Sequence, residues 1–216
     1  MRPLLAAAAA AALAGCGGSS PAPTNQSDST SMPTATATGS TSRAHAFKGG
    51  TVNPVVAAPE LGLRTFDGRP VRLADYRGKV VLVTFVYVRC PDVCPLIIDN
   101  LVRVSRRLGA DAKRMRIVAV SVDPNGDTPA AVRRFLIAHR ALGRVDYLVG
   151  SPTQLQAVWT RWGVAARASK DNPELIEHSG VIWGVDTRGR RATFYPAVGF
   201  QAADIEGDVR LMLGAS

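Results

Sequence analysis

The sequence predicts an α/β sandwich, a central mixed sheet flanked by helices with extra hairpins. Three observations carry that reading. From Val52 onward, short runs rich in β-branched residues alternate with segments of helical periodicity. The longest run, Val80 to Val88, is nearly continuous β-branched and aromatic sequence, as in a strand buried on both faces. Turn signals between paired short runs mark a hairpin near each end of the pattern.

The elements follow in order. Leu61 to Thr65 and Val71 to Leu73 flank Asp67-Gly68, a hairpin turn pair. Val80 to Val88 is the first long strand. Ile97, Leu101, Val104 and Leu108 share one face of a helix. Met115 to Val122 is the next buried strand, and Pro129 to His139 a helix with Val132, Phe135 and Leu136 inward. Tyr147 to Val149 is a short strand. Ser151-Pro152-Thr153-Gln154 combines an N-cap serine, a proline in the first helical position and a capping box, opening a helix to about Trp162. Residues 164 to 177 read as polar and irregular. Val181 to Val185 and Ala192 to Tyr195 flank Thr187-Arg188-Gly189 as a second hairpin, and Asp204 to Leu213 closes the chain as a helix. The order β-β-β-α-β-α-β-α-β-β-α implies parallel strands joined by helices, with an antiparallel hairpin near the end.

At 216 residues, with 46% hydrophobic and 20% charged residues, the chain suits one domain with a full core. Residues 1–15 do not belong to it. Met1-Arg2 is a basic start, and Pro3 to Leu13 is an Ala-rich apolar stretch, shorter than the roughly 20 residues that span a bilayer. It reads as an export signal. Leu13-Ala14-Gly15-Cys16 resembles the lipobox of bacterial lipoproteins, which makes Cys16 the expected lipidation site. Residues 16–48 are Ser, Thr, Pro, Ala and Gly rich and read as a tether, with His45 a solvated residue. Residues 49–216 form the expected domain. The expected location is the extracytoplasmic side of the cell membrane, held there by lipid. The formal charge of +9 invites a nucleic-acid partner. Export argues against one, and pairs such as Arg106-Arg107 and Arg133-Arg134 read as solvated helix faces.

With Cys16 assigned to the anchor, Cys90 and Cys94 remain, in Cys90-Pro91-Asp92-Val93-Cys94-Pro95. A disulfide closing so short a loop would constrain the unfolded chain little, so stapling is a poor reason for the pair. Cysteines at the end of a long buried strand, just before a helix, point to a thioredoxin-like sandwich. Each precedes a proline, which disfavours helical backbone there. Pro95 suits the first helical position and puts Cys94 at the N-cap, where free N–H groups and the helix dipole favour thiolate. Thiolates are nucleophiles for disulfide exchange and also the soft ligands preferred by Cu(I). Redox thioredoxins separate their cysteines by two residues, whereas three intervene here. A third donor would tip the balance toward metal, and His178 is the candidate. It precedes Val181 to Val185, at a point that in this fold faces the cysteine loop. A thioredoxin carries a cis-proline immediately before that strand, while the nearest proline here is Pro173. His139, beside the apolar face of its helix, reads as structural.

Tyr87 with the Cys90 to Pro95 motif, Ser121-Val122-Asp123-Pro124 with Asp127-Thr128-Pro129, and His178-Ser179 together resemble the Sco/SenC family over about residues 58 to 214. The resemblance implies a thioredoxin-like, membrane-tethered copper protein of cytochrome c oxidase assembly. It also implies Cys90, Cys94 and His178 as ligands of Cu(I), with Cu(II) a second candidate state. The implied partners are the copper-site subunit of the oxidase and other copper carriers. Val86, Val88 and Arg89 stand where the family usually includes Gly and Thr. Glu177 replaces the usual Asp before the histidine, and Trp183-Gly184-Val185-Asp186-Thr187 lacks the usual Tyr-Leu and Asp-Pro. None of these removes a ligand.

Asp127 or Thr128 is expected to cap the Pro129 helix, and Asp123-Pro124 to form a turn. Asp92 is expected to meet a partner or tune the thiols, not to bind metal. A metallochaperone, not an enzyme, is the expected class. The first alternative is a thiol–disulfide oxidoreductase using Cys90 and Cys94, in which His178 would be dispensable. A thiol peroxidase would carry Thr or Ser where Tyr87 stands. A purely partner-binding lipoprotein leaves His178 unexplained. Structural zinc usually takes four protein ligands, and only three are visible.

Overall fold

The computed structural model describes residues 47–172 and 175–214, all within one compact unit. The expected signal, Cys16, His45 and Pro173 lie outside the described residues. In chain order the first elements are β1 (Gly50–Ala57), β2 (Leu63–Thr65), β3 (Pro70–Val71), β4 (Val80–Val86) and α1 (Val93–Arg107). Next come β5 (Met115–Ser121), α2 (Pro129–Ala138), β6 (Val145–Val149) and α3 (Pro152–Trp162). The last are β7 (Ala166–Ala168), β8 (Ile176–His178), β9 (Val181–Val185), β10 (Arg190–Pro196) and α4 (Ala202–Gly214).

β4 is buried at every residue, so the sheet around it is covered on both faces. It runs parallel to β5, and β5 parallel to β6. Such pairs need crossover connections, which α1 and α2 supply. On its other side β4 pairs antiparallel with β9, followed by β10 and β1. β2 and β3 extend the far edge beside β6. The eight-stranded mixed sheet has the order β1-β10-β9-β4-β5-β6-β2-β3, with β7 and β8 forming a separate pair. This is the expected thioredoxin-like class.

Local chemistry explains the helix ends. Ser151 Oγ accepts from the Gln154 N–H at 3.3 Å while Gln154 Oε1 accepts from the Ser151 N–H at 2.9 Å, the capping box expected from sequence. Gly163 ends α3 at φ 70°, a left-handed conformation suited to glycine. Thr128 caps α2 through the Ala131 N–H.

Three expectations fail. β1 lies upstream of the first strand expected from sequence. Pro54 breaks its pattern, and the strand tolerates it because β1 is an edge whose register shifts between Thr51 and Val56. Its start is anchored to α4, where the Asp208 carboxylate accepts from the N–H groups of Lys48 and Gly49 at 2.9 Å and from the Tyr195 hydroxyl. Second, part of the segment expected to be irregular is the β7–β8 hairpin. Third, Cys94 is not the N-cap. α1 begins at Val93 after Asp92, so Cys94 lies inside the first turn. Pro95 is accommodated because the first four N–H groups of a helix have no intrahelical partner to lose.

Candidate metal and thiol site

β4 ends at Val86, and the chain turns at once. The Cys90 N–H donates to the Tyr87 carbonyl at 3.3 Å, and the Cys94 N–H donates to Cys90 Sγ at 3.4 Å. The short turn and the start of α1 therefore place the two sulfurs side by side, Cys90 half-buried and Cys94 buried, both free thiols. The Cys90 thiol is pushed down to about 5, chiefly by the hydrogen bond it receives from Cys94, helped by the N–H groups of Asp92, Val93 and Cys94 and opposed by burial. Cys94 moves the other way because that bond and its burial keep its proton in place. The pair shares one proton, with the charge on Cys90.

His178 arrives on β8. The hairpin carrying it is tied down by the Ser179 N–H to the Ala165 carbonyl at 2.9 Å, by the Ala165 N–H to Ser179 Oγ at 3.2 Å, and by the Arg167–Glu177 ion pair. Tyr87 links hairpin to cysteine loop: its hydroxyl accepts from the Ile176 N–H at 3.2 Å, and its ring stands edge-on to the His178 imidazole. His178 Nε2 lies 3.8 Å from Cys94 Sγ. Its Nδ1 lies 3.2 Å from the Ser179 carbonyl, an acceptor only, so Nδ1 carries the proton and Nε2 turns a lone pair toward the thiols. Burial lowers the His178 pKa, against the opposing pull of the Ser179 carbonyl and Cys90, and so favours the neutral ring. Cys90, Cys94 and His178 thus come together as the sequence places them. Among the described residues no three Cys, His, Asp or Glu groups close into a finished metal centre. The site is two contacts, Cys90–Cys94 and Cys94–His178, that share one sulfur.

The other predicted residues divide. Asp92 is exposed on the loop beside the thiols. Asp123 accepts from the Gly126 N–H, making the expected turn, and pairs with Arg89. His139 meets Asp99 at 2.9 Å and packs on Phe135, a structural role. Glu177 is held by Arg167. Asp127 does more than sequence reasoning assigns it. Its buried carboxylate accepts from the Val88 N–H at 2.9 Å, Ser121 Oγ at 2.6 Å and the Tyr147 hydroxyl at 2.7 Å, pinning the cysteine loop to β5 and β6. The supporting roles of Tyr87 and Asp127 were missed because their partners are distant in sequence. An open cleft of about 520 Å³ over Cys90 and His178 is lined also by Tyr87, Val93, Ile176 and Val198. A larger cavity of about 860 Å³ lies by β2 and β3 and carries no thiol or imidazole.

The family model described as SCO1/SenC matches residues 58–213. The chain belongs to the SCO1/SenC family. The mouse (Mus musculus) mitochondrial protein SCO2 homolog is 31% identical over 147 residues, covering 65% of this chain and 56% of that protein. The chain thus spans about half the length of the mitochondrial SCO2 relatives it matches. Apo Sco1 from Thermus thermophilus superposes with a TM-score of 0.68 at 28% identity, covering 78% of this chain and 98% of that one. Bradyrhizobium japonicum ScoI, solved with copper bound, gives 0.63 at 26% identity over 72% of this SCO1/SenC chain and 99% of its own.

The shared proton has a measurable consequence. Above about pH 5 Cys90 is thiolate, so its alkylation by iodoacetamide should be nearly independent of pH from 6 to 8, where an ordinary thiol speeds up about tenfold per unit. Cys94→Ala removes the donated hydrogen bond and should restore the ordinary rise. A steep rise in the parent protein would refute the assignment of charge to Cys90.

Proposed function

We propose that this SCO1/SenC protein is a membrane-anchored, extracytoplasmic copper carrier that delivers copper to, or prepares, the copper site of cytochrome c oxidase. Copper is its cargo, held by Cys90, Cys94 and His178, and Cys16 is its lipid anchor. The observation that carries the reading is the donor set around Cys94. A metal–sulfur bond of about 2.3 Å and a metal–nitrogen bond of about 2.0–2.1 Å, at trigonal or tetrahedral angles, put S and N roughly 3.6–3.8 Å apart. The Cys94 Sγ to His178 Nε2 distance is 3.8 Å. Two sulfurs and one neutral imidazole suit Cu(I) better than a harder ion. Cys90 offers its charge at once, while Cys94 gives up its proton on binding. Tyr87 and Asp127 hold the two halves of the site in register.

A thiol–disulfide exchange role is the second reading, favoured by the low Cys90 pKa and the free thiol beside it. One experiment separates them. The copper-loaded chain is mixed with the copper-free soluble copper-site domain of the oxidase, its cysteines reduced. Transfer of copper, absent in His178→Ala, supports the carrier. In a second mixture the reduced, copper-free chain meets the oxidised domain. Reduction of its disulfide at equal rates in His178→Ala, with Cys90 and Cys94 becoming the disulfide, and no copper transfer in the first mixture together support exchange and contradict the carrier. The same full-length preparation should carry acyl mass on Cys16, and an unmodified mature protein would contradict the anchor.

A further inference from the structure

Two depressions flank the cysteine loop. One is the cleft over Cys90 and His178. The other, about 570 Å³, lies between the loop and α2. Val88, Ala131, Phe135 and Ala138 give it an apolar lining, with Arg89 and Arg134 beside them. Arg89 adjoins Cys90 in the chain, and its aim is set. Its guanidinium grips Asp123 Oδ2 at 2.8 and 3.2 Å and passes over Gly126, where a Cβ would strike both side chains. The Arg89 side chain is 47% exposed and that of Asp123 only 4%, so the cation faces solvent and the anion does not. Arg134 stands exposed on α2, three residues from exposed Ile137, whereas Arg133 lines a separate depression beside Phe66 and Asp67. The carboxylates that meet this side are committed: Asp123 to Arg89 and the Gly126 N–H, Asp99 to His139. Asp92 is exposed on the loop itself.

We propose that this groove docks an acidic segment of a protein partner, with carboxylates on Arg134 and Arg89 and an apolar side chain against Val88 and Phe135. The proposal rests on the reading that a protein partner exchanges copper or electrons at Cys90. The groove then gives that partner a register: a segment seated there lies beside the thiols. Charge complementarity of this kind speeds encounter and fixes orientation. The apolar lining is concave, so a side chain can enter it where a planar bilayer cannot, which favours a protein over an anionic membrane.

The test uses the full-length chain in uncharged detergent, with the soluble copper-site domain of cytochrome c oxidase as probe. Arg134→Glu should weaken docking at least tenfold and flatten its salt dependence, and Arg134→Gln should weaken it about threefold, while copper content stays at the parent level. Arg133→Glu, outside the groove, should have a smaller effect than Arg134→Glu. A second arm needs no partner. The rate at Cys90 with 2-sulfonatoethyl methanethiosulfonate, relative to the trimethylammonioethyl reagent, should fall at least fivefold on charge reversal. Undiminished docking by the charge-reversed chain, or no docking by the parent, overturns the proposal. So does a charge reversal that slows capture of the chain by phosphatidylglycerol vesicles yet leaves docking intact. A parent that docks through these arginines but binds no copper would sink the copper reading and leave the groove assignment standing.

Discussion

Replacing Asp127 with Ala should lower the melting temperature by roughly 6–20 °C. The carboxylate is 4% exposed and accepts three hydrogen bonds, from Val88 N–H, Ser121 Oγ and Tyr147 OH. Truncation leaves these buried donors without their acceptor at about 1–3 kcal/mol each, and hydroxyl rotation recovers part of that. A net loss of about 3–5 kcal/mol, at roughly 2–4 °C per kcal/mol for a chain of this size, gives the stated range. Asp127→Asn keeps the volume and one acceptor oxygen, so it should cost less. It also isolates a pH effect. Burial pushes Asp127 up to about 6, so between pH 4 and 6 the folded state holds more of this proton than the unfolded state. The stability that Asp127 contributes therefore falls as pH rises through that window. The parent's stability relative to Asp127→Asn should be greatest near pH 4 and decline by pH 7. Calorimetry of both variants checks this, and an Ala variant that melts within 2 °C of the parent would contradict the pinning role.

Full loading with Cu(I) should raise the melting temperature of the reduced chain by up to about 8–16 °C. His178 lies 84 residues beyond Cys94, and closing a loop of that length costs an unfolded chain about 4 kcal/mol. Copper bound by all three residues therefore favours the folded state. At free copper about 1,000 times its dissociation constant, mass action stabilises the fold by at most ~4 kcal/mol, less whatever affinity the neighbouring cysteines retain when unfolded. The same conversion of roughly 2–4 °C per kcal/mol gives the range. His178→Ala should lose most of the rise, and His45→Ala none. An equal rise in His178→Ala would mean that copper sits on the cysteine loop alone.

Much of the fold was legible because the informative segments are buried in regular ways. β4 announces itself as an unbroken apolar run because both its faces are covered. α3 announces itself through Ser151, Pro152 and Gln154, whose bonds are local. β1 was hidden by Pro54, whose tolerance depends on the strand being an edge. β7 and β8 are three residues each, too short for alternation to register, and long-range bonds from Tyr87 and Ser179 hold them. The cysteine pair was plain from spacing and its place before a helix. The arrival of His178 was legible only through the fold it was expected to join. The Asp127 network was not legible at all, since Val88 from the loop after β4, Ser121 from the end of β5 and Tyr147 from the middle of β6 converge on it. The N-cap lies at Asp92, two residues before the expected Cys94, because the helix start tolerates Pro95 within its first turn, where no intrahelical N–H bond is lost.

A copper site built jointly from the cysteine loop and the β8 histidine needs all three side chains to hold the metal. Titration of the reduced chain with Cu(I), in competition with a chromogenic Cu(I) chelator, tests that requirement most directly. One Cu(I) should bind per chain, with near-complete loss of binding in Cys90→Ser and Cys94→Ser and at least tenfold weaker binding in His178→Ala. Parent-like affinity in His178→Ala would contradict the joint site.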